Sequence, residues 1–238
     1  MDKRLIMDTL IRSIKFPFAF DVEKLQNDVG KILNEKWVDH YNPKDYSGKW
    51  TCIALMSQTG KSDYVYAVPN GPGDIKLVAT EVLNSCTYFK EILDSFLFEK
   101  TAVRLLQLAV GADIKPHSDN CLGYEDGSFR LHIPIITNSE VEFFLDSTRL
   151  TMNEGECWYI NANFIHSVAN RGYKDRIHLV IDGIRNEWTD AMFYKEASEN
   201  QFIKPVPSIS DEQKKLIIAE LRRMNTPRAN EMIKELEI

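Results

Sequence analysis

Apolar residues recur at helical spacing soon after the start of the chain. Val22, Leu25, Val29, Ile32 and Leu33 fall on one helical face, and Asp21 stands where a cap is needed. The pattern predicts a helix that packs outside any catalytic core, preceded by an extended stretch from Ile11 to Phe20. Between residues 41 and 75 the chain is punctuated by Pro43, Gly48, Gly60, Pro69, Gly71, Pro72 and Gly73. Two strand-like runs remain there, Trp50 to Met56 and Tyr64 to Val68, with Asn70-Gly71-Pro72-Gly73 as a loop. Three- and four-residue spacing returns at Val82, Cys86, Phe89, Leu93 and Phe96, which predicts a second helix from Glu81 to Phe96.

From there to Asp182 the period shortens. Ala102 to Val110, Phe129 to Ile136, Val141 to Leu145, Arg149 to Met152, Cys157 to Ile160 and Arg176 to Ile181 are short apolar or alternating runs bounded by Gly, Asn, Asp or Pro. Many short strands without intervening helices indicate an antiparallel sandwich or barrel, and a jelly roll is the common solution that encloses a ligand cavity. Pro205-Val206-Pro207 then breaks the chain, Ser210 and Gln213 form a capping-box pattern, and Thr226-Pro227 starts a further helix. The expected architecture is mainly β, a cupin-like core with flanking N-terminal helices over residues 1–200 and a C-terminal helical hairpin over residues 205–238.

Composition narrows the setting. With 44% hydrophobic residues, a 238-residue chain can bury a full-sized core, so disorder is excluded as its dominant state. The net charge of −6 removes the clustered cations a general nucleic-acid binder needs, and no nucleic-acid partner is expected. Cys52, Cys86, Cys121 and Cys157 are scattered without a Cys-x-x-Cys pair, which argues against a zinc ribbon or disulfide framework and for a reducing compartment. Charge interrupts Met1 to Asp8 too early for a signal peptide, and no apolar run approaches the roughly 20 residues of a membrane span. A cytoplasmic protein with no membrane partner is expected.

The chemistry concentrates in a few polar residues. In His117-Ser118-Asp119, two metal-competent side chains sit two positions apart, so on an extended strand both point to one face. His166, several strands later, supplies a third ligand if the strands cross back. Two imidazoles and one carboxylate make a facial triad, which leaves open positions on the metal and is diagnostic of non-haem Fe(II) oxygenases. The open positions suit a 2-oxo acid and O2. The distal carboxylate of 2-oxoglutarate needs a buried partner, and the planar fork of an arginine provides one. Arg176 opens a strand on which His178 and Val180 share its face. Arg130 and His132 form a second polar pair, opposite Leu131, Ile133 and Ile135. His132 is read as a donor to the metal-side carboxylate, and Arg130 as a contact to a cosubstrate or substrate carboxylate.

The runs Val103-Arg104-Leu105, Pro116 to Asp119, Arg130-Leu131-His132, Gly155 to Trp158, His166 to Asn170 and Arg176 to Asp182 resemble the aspartyl/asparaginyl β-hydroxylase family, which includes bacterial proline hydroxylases. The likeness covers roughly residues 100 to 185, with a weaker echo at Tyr46-Ser47-Gly48-Lys49-Trp50. It implies a double-stranded β-helix, iron at His117 and His166, and 2-oxoglutarate at Arg176 and His132. Asp119 matches bacterial members, and Leu106 stands where the animal enzymes carry a serine. The implied activity is hydroxylation of an amino-acid side chain, free or in a peptide. The C-terminal helices have no counterpart, so substrate choice and a homodimer interface both stay open for them.

Two rivals are weighed beside this reading. A cupin-like protein that binds a metal and a small acid without oxygen chemistry would share the ligands. A zinc hydrolase would need a general base, for which Glu156 is the candidate. His178 is read as a hydrogen-bonded supporting residue, Trp158 and Tyr159 as sheet aromatics, and His40 has no assigned role.

Overall fold

Thirteen strands among the described residues pair without exception in antiparallel fashion and form two sheets. The computed structural model describes residues 9–67, 76–203, 211–224, 226, 228, 229, 232 and 233. Met1 to Asp8, the Asn70-Gly71-Pro72-Gly73 loop, the Pro205-Val206-Pro207 break, Ser210 and Pro227 lie outside these residues.

The unit Ile11–Phe202 holds the sheets. Its strands are β1 (Ser13–Ala19), β2 (Val38–Asp39), β3 (Tyr46–Ser47), β4 (Trp50–Ser57), β5 (Val78–Ala79), β6 (Lys100–Leu108), β7 (Asp113–His117), β8 (Ser128–Ile136), β9 (Val141–Leu145), β10 (Thr148–Leu150), β11 (Glu156–Ile160), β12 (His166–Asn170) and β13 (Arg176–Ile184). The larger sheet runs β1-β11-β8-β13-β6-β4-β2, with β5 also on β4, and the smaller runs β10-β9-β12-β7-β3. From β6 onward the chain passes repeatedly between the two sheets, which is the jelly roll expected from the run of short strands and the double-stranded β-helix that the resemblance implies.

Period two decides what each face of the larger sheet does. Leu105, Leu131, Ile133, Leu179 and Ile181 point outward and join Leu25, Val29 and Ile32 of α1 (Val22–Ile32) in one buried cluster. The opposite face carries Arg104, His132, Arg176, His178 and Asp182, all buried. The main hydrophobic core therefore lies outside the barrel, between sheet and helices, and the inner face of the larger sheet carries the buried charged and polar groups.

Local signals were obeyed where no distant group intervened. Asp21 caps α1 by accepting from the Lys24 amide at 3.1 Å, although Leu33 falls past the last turn and is exposed. The single helix expected from Glu81 to Phe96 is instead two, α2 (Glu81–Asn84) and α3 (Thr87–Ser95). Cys86 leaves helical geometry between them, and Asp28 of α1 accepts from the Tyr88 and Phe89 amides at 2.8 and 3.0 Å. A carboxylate from another helix thus satisfies the orphan donors of the second start. The run from Tyr64 is not a strand over its described residues, because β4 has no free edge to offer. One side pairs with β6, and the other is taken by β2, the Ser62 carbonyl and β5.

A helix over Glu187–Phe193, α4, begins with a capping box between Asn186 and Thr189. In the second unit, Met1–Leu10 with Ile203–Ile238, α5 spans Asp211–Met224, and its Leu221 is buried with Ala229 and Ile233. No helix among the described residues is long and apolar enough to cross a membrane.

Gly48 links β3 to β4 at φ +79°, where a Cβ would lie 2.8 Å from the Ala112 Cβ. Gly48→Ala is expected to destabilise the fold by roughly 2–3 kcal/mol, combining left-handed strain with overpacking. Equilibrium urea unfolding checks this, and an unchanged midpoint would contradict it.

Candidate metal centre

His117 closes β7 and His166 opens β12, and the two are direct partners across the strand pair. Their ring centroids are 4.3 Å apart. The His117 Nδ1 lies 2.8 Å from the Lys115 carbonyl and the His166 Nδ1 lies 3.0 Å from the Phe164 carbonyl. A carbonyl only accepts, so each Nδ1 carries a proton, and in the neutral ring this tautomer leaves the Nε2 lone pair for a metal. Burial, reinforced by His117, lowers the His166 pKa to about 4, which keeps that imidazole neutral.

Asp119 reaches the pair differently from the expected extended strand. β7 ends at His117, and Asp119 sits in the following loop, its amide donating to the Ala162 carbonyl at 2.8 Å. Ligand atoms of His117, Asp119 and His166 all lie within 4.8 Å of one another. Burial opposes ionisation of Asp119, but Arg130 and then the two imidazoles outweigh it and hold the carboxyl below its ordinary range. Two imidazoles and one carboxylate fit a non-haem iron.

Arg130 is already engaged. Its guanidinium donates to Asp119 at 2.5 Å and grips Asp182 in bidentate fashion at 2.7 and 3.0 Å, while Arg104 donates to the same Asp182 at 2.9 Å. Arg130, expected to meet a cosubstrate or substrate carboxylate, is in this structure part of a carboxylate–arginine chain that runs from Asp182 to Asp119. The reason is that Asp182, three strand positions of the same face beyond Arg176, lies across from Arg130 in the β13–β8 register.

Arg176 and His132 are situated otherwise. Both line, with the three ligand residues, a cavity of about 70 Å³ whose apolar walls include Leu106, Ile114, Phe143 and Val168. Arg176 is 2% exposed, has no carboxylate partner among the described residues, and burial alone lowers its pKa to about 9. Neither ring nitrogen of His132 has a hydrogen-bond partner, and burial, then Arg176 and Arg130, hold the ring neutral. An unpaired buried cation is strongly unfavourable, so this end of the cavity is built for an anion.

The sequence pattern described as Aspartyl/Asparaginyl beta-hydroxylase matches residues 19–186. The chain belongs to the aspartyl/asparaginyl β-hydroxylase family. Among its relatives, the L-proline cis-4-hydroxylase of Rhizobium meliloti (strain 1021) is 30% identical over 168 residues, covering 68% of this chain. The match spans 57% of that relative's length. Weakly similar solved structures include a 2OG-Fe(II) oxygenase family oxidoreductase from Burkholderia pseudomallei, at 12% identity and TM-score 0.49 over 78% of this chain and 93% of that one. Another is HygX from Streptomyces hygroscopicus with nickel and 2-oxoglutarate bound, at 10% identity and TM-score 0.47 over 79% and 88%.

Within this β-hydroxylase family fold, the remaining residues fall into place. Tyr159 is core, and Glu156 accepts from Lys15, the Asn153 amide and Trp158. Glu156 is absent from the cavity lining, so it is not placed to serve as the general base of a zinc hydrolase there. Arg104 and His40 of the cavity wall, and Asp182 bonded to Arg104, are among the residues that had received no role. Asp182 continues the alternation of Arg176, His178 and Val180, a signal that was present. His40 lines the cavity stacked on Trp50 with ring centroids 3.5 Å apart, and nothing local to its sequence announces this.

Proposed function

We propose that the unit Ile11–Phe202 is an Fe(II)- and 2-oxoglutarate-dependent dioxygenase that hydroxylates an amino-acid side chain, free or within a peptide, while converting 2-oxoglutarate to succinate and CO2. The single observation that carries this is a pair of buried groups, Arg176 without a carboxylate partner among the described residues and His132 without a hydrogen bond, sharing one cavity with three converging side chains that could hold a metal. A metal site alone would not need them.

In this reading the Nε2 atoms of His117 and His166 and a carboxylate oxygen of Asp119 hold the iron. When bound, the iron supplies activation of O2 coupled to oxidative decarboxylation of the 2-oxo acid. Arg176 fixes the distal carboxylate of 2-oxoglutarate, and His132 donates to its metal-side carboxylate. Arg130, braced by Asp182, keeps Asp119 ionised and aimed. Leu106, Phe143 and Val168 keep the chamber dry. A recess of about 720 Å³ edged by Tyr41, Tyr66, Asp119 and Arg130 lies at the ligand-residue end and is where the substrate would enter. The relative's name, L-proline cis-4-hydroxylase, supports a small amino acid as the substrate class.

Anaerobic reconstitution with Fe(II) and 2-oxoglutarate tests the reading through its metal-to-ligand charge-transfer absorption. Air is then admitted with a panel of amino acids and peptides, L-proline included, and succinate is followed. A band, with succinate stimulated by one panel member, is the expected result. Arg176→Ala should raise the 2-oxoglutarate requirement by roughly a hundredfold or more, because a desolvated charge-assisted pair is lost. Stoichiometric iron with no band would refute the cosubstrate assignment and favour a non-catalytic cupin-like binder.

A further inference from the structure

Arg176 does not face the metal chamber alone. On its other side lies a second cavity of about 500 Å³, and Arg176 and Phe143 line both. His178 lines only this second cavity. The Arg176 Nη2 lies 2.9 Å from the His178 Nδ1. A guanidinium can only donate, so Nδ1 accepts and the ring proton resides on Nε2. That Nε2–H is buried without a partner, and so is the Nε–H of Arg176. His178 is 1% exposed, and burial, then Arg176 and His132, keep its ring neutral. Two unpartnered donors two residues apart on β13 therefore sit side by side at the wall between the chambers. Buried donors in this state call for an acceptor, and beside a guanidinium the fitting acceptor is a carboxylate. The other cation lining that cavity, Lys174, is already paired with Glu154 at 3.0 Å.

We propose that Arg176 and His178 together clamp the distal carboxylate of the cosubstrate, and that this end of the site opens into the far cavity. The site would then take 2-oxo dicarboxylates longer than 2-oxoglutarate. This rests on the cosubstrate reading above, which assigned the distal carboxylate to Arg176 alone and gave the pocket no open end. A closed pocket would measure chain length strictly. An open one recognises the terminal charge and tolerates an added methylene.

Calorimetric titration of the Mn(II)-loaded protein with 2-oxoglutarate, 2-oxoadipate and 2-oxobutyrate tests it without turnover. In the wild type, 2-oxoadipate should bind within about tenfold of 2-oxoglutarate. His178→Leu should weaken both dicarboxylates by roughly tenfold or more, the loss expected for a hydrogen bond to a charged group. Binding of 2-oxobutyrate, which lacks the distal carboxylate, should change by less than about twofold, which also shows that the variant is folded. His178→Gln, whose amide can donate, should recover much of the dicarboxylate affinity. Equal weakening of all three ligands would mean that His178 supports the whole site rather than its distal end and would overturn the clamp, as would no weakening at all. Exclusion of 2-oxoadipate would overturn the open end. A wild type that binds none of the three would sink the cosubstrate reading itself, whereas normal 2-oxoglutarate binding with an indifferent His178 would leave that reading intact.

Discussion

Replacement of His166 by alanine is expected to abolish turnover and to lower iron affinity by more than about a hundredfold. That figure is the upper end of what removal of a mere supporting group does to a metal site, and a ligand must exceed it. The same result is expected for His117→Ala, because the two rings face each other across one strand pair and their carbonyl-bound Nδ1 atoms leave only Nε2 to coordinate. Metal content after anaerobic loading and desalting, read alongside the charge-transfer band, makes the comparison direct. A His166→Ala protein that retained stoichiometric iron and the band would show that the metal sits elsewhere.

Asp182→Ala is expected to be the most destabilising substitution in the barrel interior, by about 3–5 kcal/mol, although Asp182 touches neither the proposed metal nor its cosubstrate. The carboxylate is 2% exposed and receives bonds from both Arg104 and Arg130. Without it two largely buried guanidinium groups lose their main counter-charge. Arg130 would also lose its bidentate anchor and hold Asp119 less firmly, so iron affinity should fall by roughly ten- to a hundredfold in whatever fraction stays folded. Urea unfolding of the metal-free protein separates the two effects. A midpoint close to that of the wild type would show that the arginine chain is not a structural brace.

The strands were legible because their faces differ so sharply in character. Leu131, Ile133 and Ile135 alternate with Arg130, His132 and Pro134, and the structure sends the first set to the core and lines the cavity with Arg130 and His132. What alternation cannot reveal is who sits opposite. Arg130 looked available for a ligand because its partner, Asp182, becomes its neighbour only once β13 pairs with β8. The same limit explains the helix that proved to be two: the capping group at Tyr88 and Phe89 is Asp28, far back in the chain. It also explains the Tyr64 run, whose residue types suit a strand but which finds every bonding edge of β4 taken. The convergence of His117, Asp119 and His166 could be anticipated from the sequence because ligand chemistry restricts the residue types, even though Asp119 does not lie on the strand that carries His117.

The larger sheet keeps its oily packing on one side and its reactive chamber on the other. A partition of this kind separates two kinds of selection. Residues at the entrance recess such as Tyr41 and Tyr66, both more than half exposed, contribute little to the buried cluster behind the sheet. They can be exchanged to admit differently shaped molecules while the folding problem stays already solved on the far face. A directed-evolution library confined to that rim should consequently yield mostly folded proteins, whatever new preferences it uncovers.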